Sequence, residues 1–143
     1  MIIPVFTYYS SAFLGWSESK KFKVRDIERR SIKIITDCAQ DNLELRIPSI
    51  ENSIKKRICK LVFDSLNGSG RICDIFMNYF EKMDHSYKTR NNKFSLKLPK
   101  VNTNIGRNSF FFKAAIIFNE LPLDIRLLSS RALFVRAVDV YFS

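Results

Sequence analysis

Residues 109–121 read SFFFKAAIIFNEL and are followed by Pro122. Nine of the twelve residues from 110 to 121 are apolar, and at helical spacing only Lys113 and Glu120, seven positions apart, share a polar strip. A helix with so narrow a strip has to be covered over most of its circumference. Ser109 supplies a start signal, because its hydroxyl can accept from a free N–H of the first turn. Pro122 supplies the stop: it lacks an N–H and steers the residue before it out of the helical region. The turn-rich run 102–108, NTNIGRN, opens the segment. The fold class expected is mainly α, a small helical bundle around this central apolar helix, with at most a short β-strand or hairpin.

On the C-terminal side, residues 122–128 cross to a last helix that Ser129 or Ser130 can cap. Phe134, Val138, Tyr141 and Phe142 share one face of it while Leu133 and Val140 lie off that face, so it is either covered on two sides or leaves an apolar patch for a partner. On the N-terminal side, residues 94–98 (FSLKL) alternate like a brief strand ended by Pro99. Residues 84–93, DHSYKTRNNK, have no apolar period and read as an exposed loop. Before them Ile72, Ile75, Phe76, Tyr79 and Phe80 recur at the spacing of a short helix.

Two longer amphipathic helices precede these. One starts at Ser49 as N-cap, with Glu51 in the first turn where the helix dipole favours an anion, and runs to about Leu66. Ile50, Ile54, Ile58, Leu61 and Val62 make its apolar face, and Lys56, Arg57 and Lys60 lie together on the opposite side. Residues 67–70, NGSG, end it by tolerating left-handed dihedrals. The other starts at about Ser17 and sets Val24, Ile27, Ser31, Ile34 and Ile35 on one face. Arg25, Arg29 and Lys33 form a four-residue-spaced ridge on the other face, flanked by Lys23 and Arg30. Glu28 falls inside the apolar arc, where an unpaired carboxylate is costly, and is expected to meet an Arg or Lys of a neighbouring element. Residues 3–16 mix aromatic and β-branched side chains without a clean period and read as a short extended or helical segment packed on the core.

At 143 residues the chain fits a single domain, 1–143, able to bury a core without disulfides or metal. Lys and Arg outnumber Asp and Glu by 24 to 14, for a net charge of +10, and residues 85–119 hold seven Lys or Arg and no acid. A polyanionic partner is favoured over a merely solvated surface. Cys38, Cys59 and Cys73 stand far apart and His85 is the only histidine, so no metal site, disulfide framework or cofactor is indicated. The run 1–16 lacks a basic leader and is broken by Pro4, Thr7, Ser10 and Ser11, which argues against a signal peptide or a spanning helix and for an intracellular protein with no membrane partner.

Catalysis finds no footing. Asp84, His85 and Ser86 are residue types of a hydrolytic triad, but consecutive loop residues point apart and a triad needs a spatial relay. Gly68-Ser-Gly70 lacks the third glycine and the strand–turn–helix setting of a phosphate loop. The acids are scattered singly among cations, without the carboxylate cluster that holds divalent metal for phosphoryl transfer.

Three stretches resemble the region downstream of the polymerase domain in the reverse transcriptases of non-LTR retrotransposons, the LINE and jockey-like elements. Ile27-Glu-Arg-Arg-Ser-Ile-Lys-Ile-Ile-Thr36 is similar to that family's Leu-Gln-Arg-Arg-Ala-Leu-Arg-Ile-Ile-Thr run. Pro48-Ser-Ile-Glu51 with Lys55-Lys-Arg57 resembles its Pro-Ser-Leu-Glu segment and basic helix. Asn108-Ser-Phe-Phe-Phe-Lys-Ala114, then Phe118-Asn-Glu-Leu-Pro122 and Ile125-Arg126, resembles its Ser-Phe-Phe, Trp-Asn-Ser-Leu-Pro and Ile-Arg ending. The likeness covers nearly the whole chain, and the departures are Phe118 for a frequent Trp, Asp37 for Gly, and Val135 and Val138 where basic residues are common. The resemblance implies a truncated or decayed C-terminal piece of an RNA-directed DNA polymerase, its catalytic palm and endonuclease lying upstream.

The function expected is that of a non-catalytic accessory region that binds RNA or DNA through phosphates. Its contacts would be Lys23, Arg25, Arg29, Arg30 and Lys33 of the first long helix, Lys56, Arg57 and Lys60 of the second, and Lys88, Arg90 and Lys93 of the loop. The polymerase domain of a related protein is a further partner class. The alternative is a small structural domain that docks on a protein through its last helix without binding nucleic acid. A membrane-surface helix is disfavoured, because the apolar faces are needed for the core.

Overall fold

The computed structural model describes residues 10–38, 49–68, 79–83 and 94–143. Among them the chain is mainly helical, with seven helices: α1 (Ser10–Leu14), α2 (Glu18–Cys38), α3 (Ile50–Leu66), α4 (Asn104–Arg107), α5 (Phe110–Glu120), α6 (Leu123–Arg126) and α7 (Arg131–Tyr141). The expected helix around residues 72–80 and the loop at 84–93 lie largely or wholly outside the described residues, as do residues 1–9.

α5 forms where its local signals place it. The Ser109 hydroxyl accepts from the Phe112 N–H at 3.4 Å, and Leu121 adopts the extended backbone, φ −62° and ψ 142°, that a following proline requires. Ala114, Ala115, Ile117 and Phe118 are buried, and so is Leu121. α5 shares the centre of the bundle with α3, which packs against both α5 and α7, while α1 touches both central helices. The reason is α3's wider buried arc: Cys59, Phe63 and Ser65 are covered along with Ile50, Ile54, Ile58 and Val62. Phe134 of α7 stacks on Phe63 at a centroid distance of 4.2 Å and lies 6.2 Å from the Phe118 ring, so one aromatic joins α7 to both central helices. α1 buries Phe13 and Leu14, and the Lys113 ammonium donates to the Leu14 carbonyl at 2.6 Å, closing the C-terminal end of that helix.

In place of the strand expected at 94–98 there is one antiparallel bridge, Lys82 to Leu96, with the Met83 N–H on the Ser95 carbonyl and the Lys97 N–H on the Glu81 carbonyl, both at 2.8 Å. The other edge of Leu96 is occupied by a side chain. Asn119 Oδ1 accepts from the Leu96 N–H at 2.8 Å and its Nδ2 donates to the Leu96 carbonyl at 3.0 Å, so the carboxamide of α5 stands in for a neighbouring strand. On the other side Phe94, at φ 69°, breaks the extended run.

α2 departs most from expectation. Of its apolar face only Val24 is buried, and Ile27, Ile34 and Ile35 are 48%, 63% and 45% exposed. Its first half is anchored, through Val24, the Arg25–Glu51 pair and Glu28; among the described residues no bond or ion pair ties it to another element from Lys33 onward. Glu28 also corrects its expected partner. Its Oε1 accepts from the Ile50 N–H at 2.8 Å, so the half-buried carboxylate meets the positive end of α3 rather than a cation. Ser49 stands at the N-cap of α3 but makes no side-chain cap bond, a role Glu28 has taken from another helix. Ser130 likewise occupies the N-cap of α7 with only its carbonyl engaged, accepting from the Phe134 N–H.

Candidate nucleic-acid interface

The cations of α2 do not stand as a free ridge. Arg25 pairs with Glu51 of α3 at 2.9 Å, and Arg29 and Arg30 both reach Asp26 of their own helix, at 2.8 and 2.7 Å. Lys23 and Lys33 are exposed and make no ion pair among the described residues. On α3, Lys60 reaches Asp139 of α7 at 2.8 Å, so it braces two helices rather than facing away from the core as its spacing suggested. Lys56 is half-buried and Arg57 exposed, neither in an ion pair among the described residues. Lys88, Arg90 and Lys93 lie outside the described residues.

These pairings differ in strength for physical reasons. Arg29 and Arg30 keep 79% and 76% of their side-chain surface exposed, and pairs in so much water contribute about 0–1 kcal/mol, so a phosphate can take over either guanidinium at little cost. The Lys60 and Arg25 pairs connect separate helices and are less readily given up. Lys23, Arg29, Arg30 and Lys33 on α2, with Lys56 and Arg57 on α3, are therefore the cations open to a polyanion.

Sequence spacing missed a second feature, a cleft in which Lys97 is paired with Glu81 at 2.9 Å while Lys100 lies beside them. The cleft, of about 420 Å³, is lined by Tyr79, Glu81, Lys97, Leu98, Pro99 and Lys100. The acid-free composition of 85–119 was the signal for its lysines. Tyr79 stacks on Phe111 at 4.3 Å with rings 12° apart, and Phe80 and Phe110 meet the same ring edge-on. Phe110, Phe111 and Phe112 are half-buried, so these rings serve the edge of the core.

Burial pushes the Cys59 thiol up to about 12, with the Glu120 carboxylate adding to the shift. Among the described residues no three His, Cys, Asp or Glu side chains come together, and no helix is long and apolar enough to cross a membrane. Comparison with protein-family models, curated proteins and solved structures finds no match.

Proposed function

We propose that this chain is a non-catalytic nucleic-acid-binding module that holds RNA or DNA by its phosphates, and that it derives from the C-terminal region of a non-LTR retrotransposon reverse transcriptase. The derivation rests on the three stretches at 27–36, 48–57 and 108–126. The binding rests on one observation above the others: Lys23, Lys33, Lys56 and Arg57 carry charge that no carboxylate answers among the described residues, on a chain of net charge +10. Such a surface attracts a polyanion without reading its sequence.

The test neutralises two cations with no structural partner. Lys23→Gln with Lys33→Gln should leave the circular dichroism spectrum and the unfolding midpoint unchanged. On duplex DNA each phosphate contact adds about 0.9 to the slope of log affinity against log salt, so the double variant should flatten it by about 2. A folded variant with the parental affinity and slope removes α2 from the interface. Reversing Arg25 and Arg29 is a poorer test, because Glu51 and Asp26 would then face new like charges.

A second reading, a structural domain docking on a protein through α7, is favoured by the exposure of Val140 and Leu133, 76% and 53%. It predicts that Val140→Asp abolishes partner binding while the salt slope on nucleic acid is absent from the start.

A further inference from the structure

A small cleft at the junction of α3, α6 and the segment around Phe94 brings two cations together. Its volume is about 90 Å³, and Arg126, Lys82, Asn67, Ser129, Phe94 and Phe118 are among its walls; among the described residues that line it there is no Asp or Glu. Arg126 is half-buried and fixed by one bond, from Nη1 to the Ser95 hydroxyl at 2.8 Å. Its Nε is buried without a hydrogen-bond partner. Buried polar groups are nearly always satisfied, and an orphaned donor on a charged group calls for an explanation. Desolvation lowers the pKa of Arg126, and neither it nor Lys82 has an ion pair among the described residues. A second, independent anomaly sits on the same wall: Phe94 holds φ at 69°, a conformation that non-glycine residues adopt at a cost. The Lys82 ammonium lies 6.0 Å from the centre of that ring.

We propose that this cleft binds one phosphate-type oxyanion, with the Arg126 guanidinium donating, Lys82 supplying the second positive charge and the Ser129 hydroxyl available as a further donor. The cleft is small beside the ~300–1,000 Å³ of sites for drug-sized ligands, so it takes a single oxyanion group and not a whole nucleotide. Arg126 and Lys82 belong to neither cationic helix face, so the site is independent of the nucleic-acid reading. Free inorganic phosphate and the terminal phosphate of a strand offer the same chemistry.

The experiment follows the Arg126 Nε–Hε cross-peak of the full chain during titration with potassium phosphate, ionic strength being held constant with chloride. A saturable shift is expected, weakened roughly tenfold or more in Lys82→Met, which leaves the Arg126–Ser95 bond in place, and in Arg126→Lys, which loses the planar donor and is followed instead through the Ser129 backbone amide. Lys82 is exposed, so its variant keeps the test open if the Arg126 variant fails to fold. A dinucleotide with and without a 5′-phosphate separates the sources: a shift only with the phosphorylated form identifies a strand end, and a shift with inorganic phosphate alone identifies the free ion. No movement of the cross-peak with either phosphate, or a shift undiminished in Lys82→Met, overturns the site. Loss of nucleic-acid binding in the α2 variants leaves this result untouched.

Discussion

Asn119 offers the sharpest test of how the bundle holds its non-helical segment. Leu96 is fully buried, so its N–H and C=O cannot turn to water when their partner is removed. Asn119→Ala deletes both hydrogen bonds, at 2.8 and 3.0 Å, and strands two backbone groups at about 1–3 kcal/mol each, a total of roughly 2–6 kcal/mol. Against an ordinary domain stability of about 5–15 kcal/mol, that is a large fraction. At roughly 2–4 °C per kcal/mol for a chain of this size, the melting midpoint should fall by about 4–24 °C.

Asn119→Asp separates the two bonds. The new carboxylate still accepts from the Leu96 N–H, but it sets its second oxygen against the Leu96 carbonyl where an amide donated. Protonation restores the donor, so the carboxyl titrates in the fold above its unfolded value. The charged form is the destabilised one: the deficit is largest at neutral pH and shrinks as pH falls through the raised pKa. Urea unfolding at pH 7 and pH 4.5, each referred to wild type at the same pH, measures this. If Asn119→Ala lies within about 0.5 kcal/mol of wild type, the size of an ordinary surface change, the amide does not hold Leu96. If Asn119→Asp shows no relative gain at acid pH, the donor half of the argument fails.

Phe118, 2% exposed and packed near Phe134, should cost roughly 3–5 kcal/mol as Phe118→Ala, and a variant of parental stability in urea would remove α5 from the core. Glu28→Ala removes the acceptor that closes the start of α3 and should cost about 1–2 kcal/mol, with faster hydrogen exchange centred on the Ile50 amide; unchanged exchange there contradicts the cap. Cys59, its thiol pushed up to about 12, should resist disulfide reagents at pH 8 until the chain unfolds, and peptide mapping that finds it labelled in the native state refutes its burial.

What could be read from the chain was what local chemistry decides. Ser109 and Pro122 bracket α5 without help from any distant residue, and the apolar spacing of α3 needs only its own seventeen positions. What could not be read depends on partners far along the chain. A helical wheel shows that Ile27, Ile34 and Ile35 share a face, but not whether a neighbour exists to cover it. Asn119 reads as an ordinary polar residue near a helix end, because the backbone it pairs with lies 23 positions earlier. Glu28 was legible as a buried carboxylate in need of a positive partner, while the helix end that supplies it is visible only in three dimensions.

The cationic faces divide along the same line, and the division bears on function. Asp26 with Arg29 and Arg30 follows helical spacing, whereas Arg25 with Glu51 and Lys60 with Asp139 join residues 26 and 79 positions apart. The long-range pairs hold helices together, and surrendering them to a phosphate would loosen α2 from α3 or α3 from α7. The local pairs hold nothing but their own helix. On the proposed phosphate-binding reading, a polyanion would draw first on Lys23 and Lys33, which have no ion pair among the described residues, and next on Arg29 and Arg30, whose release leaves the bundle intact. Lys60→Gln should consequently lower stability more than it changes the salt slope, and Lys33→Gln should do the reverse.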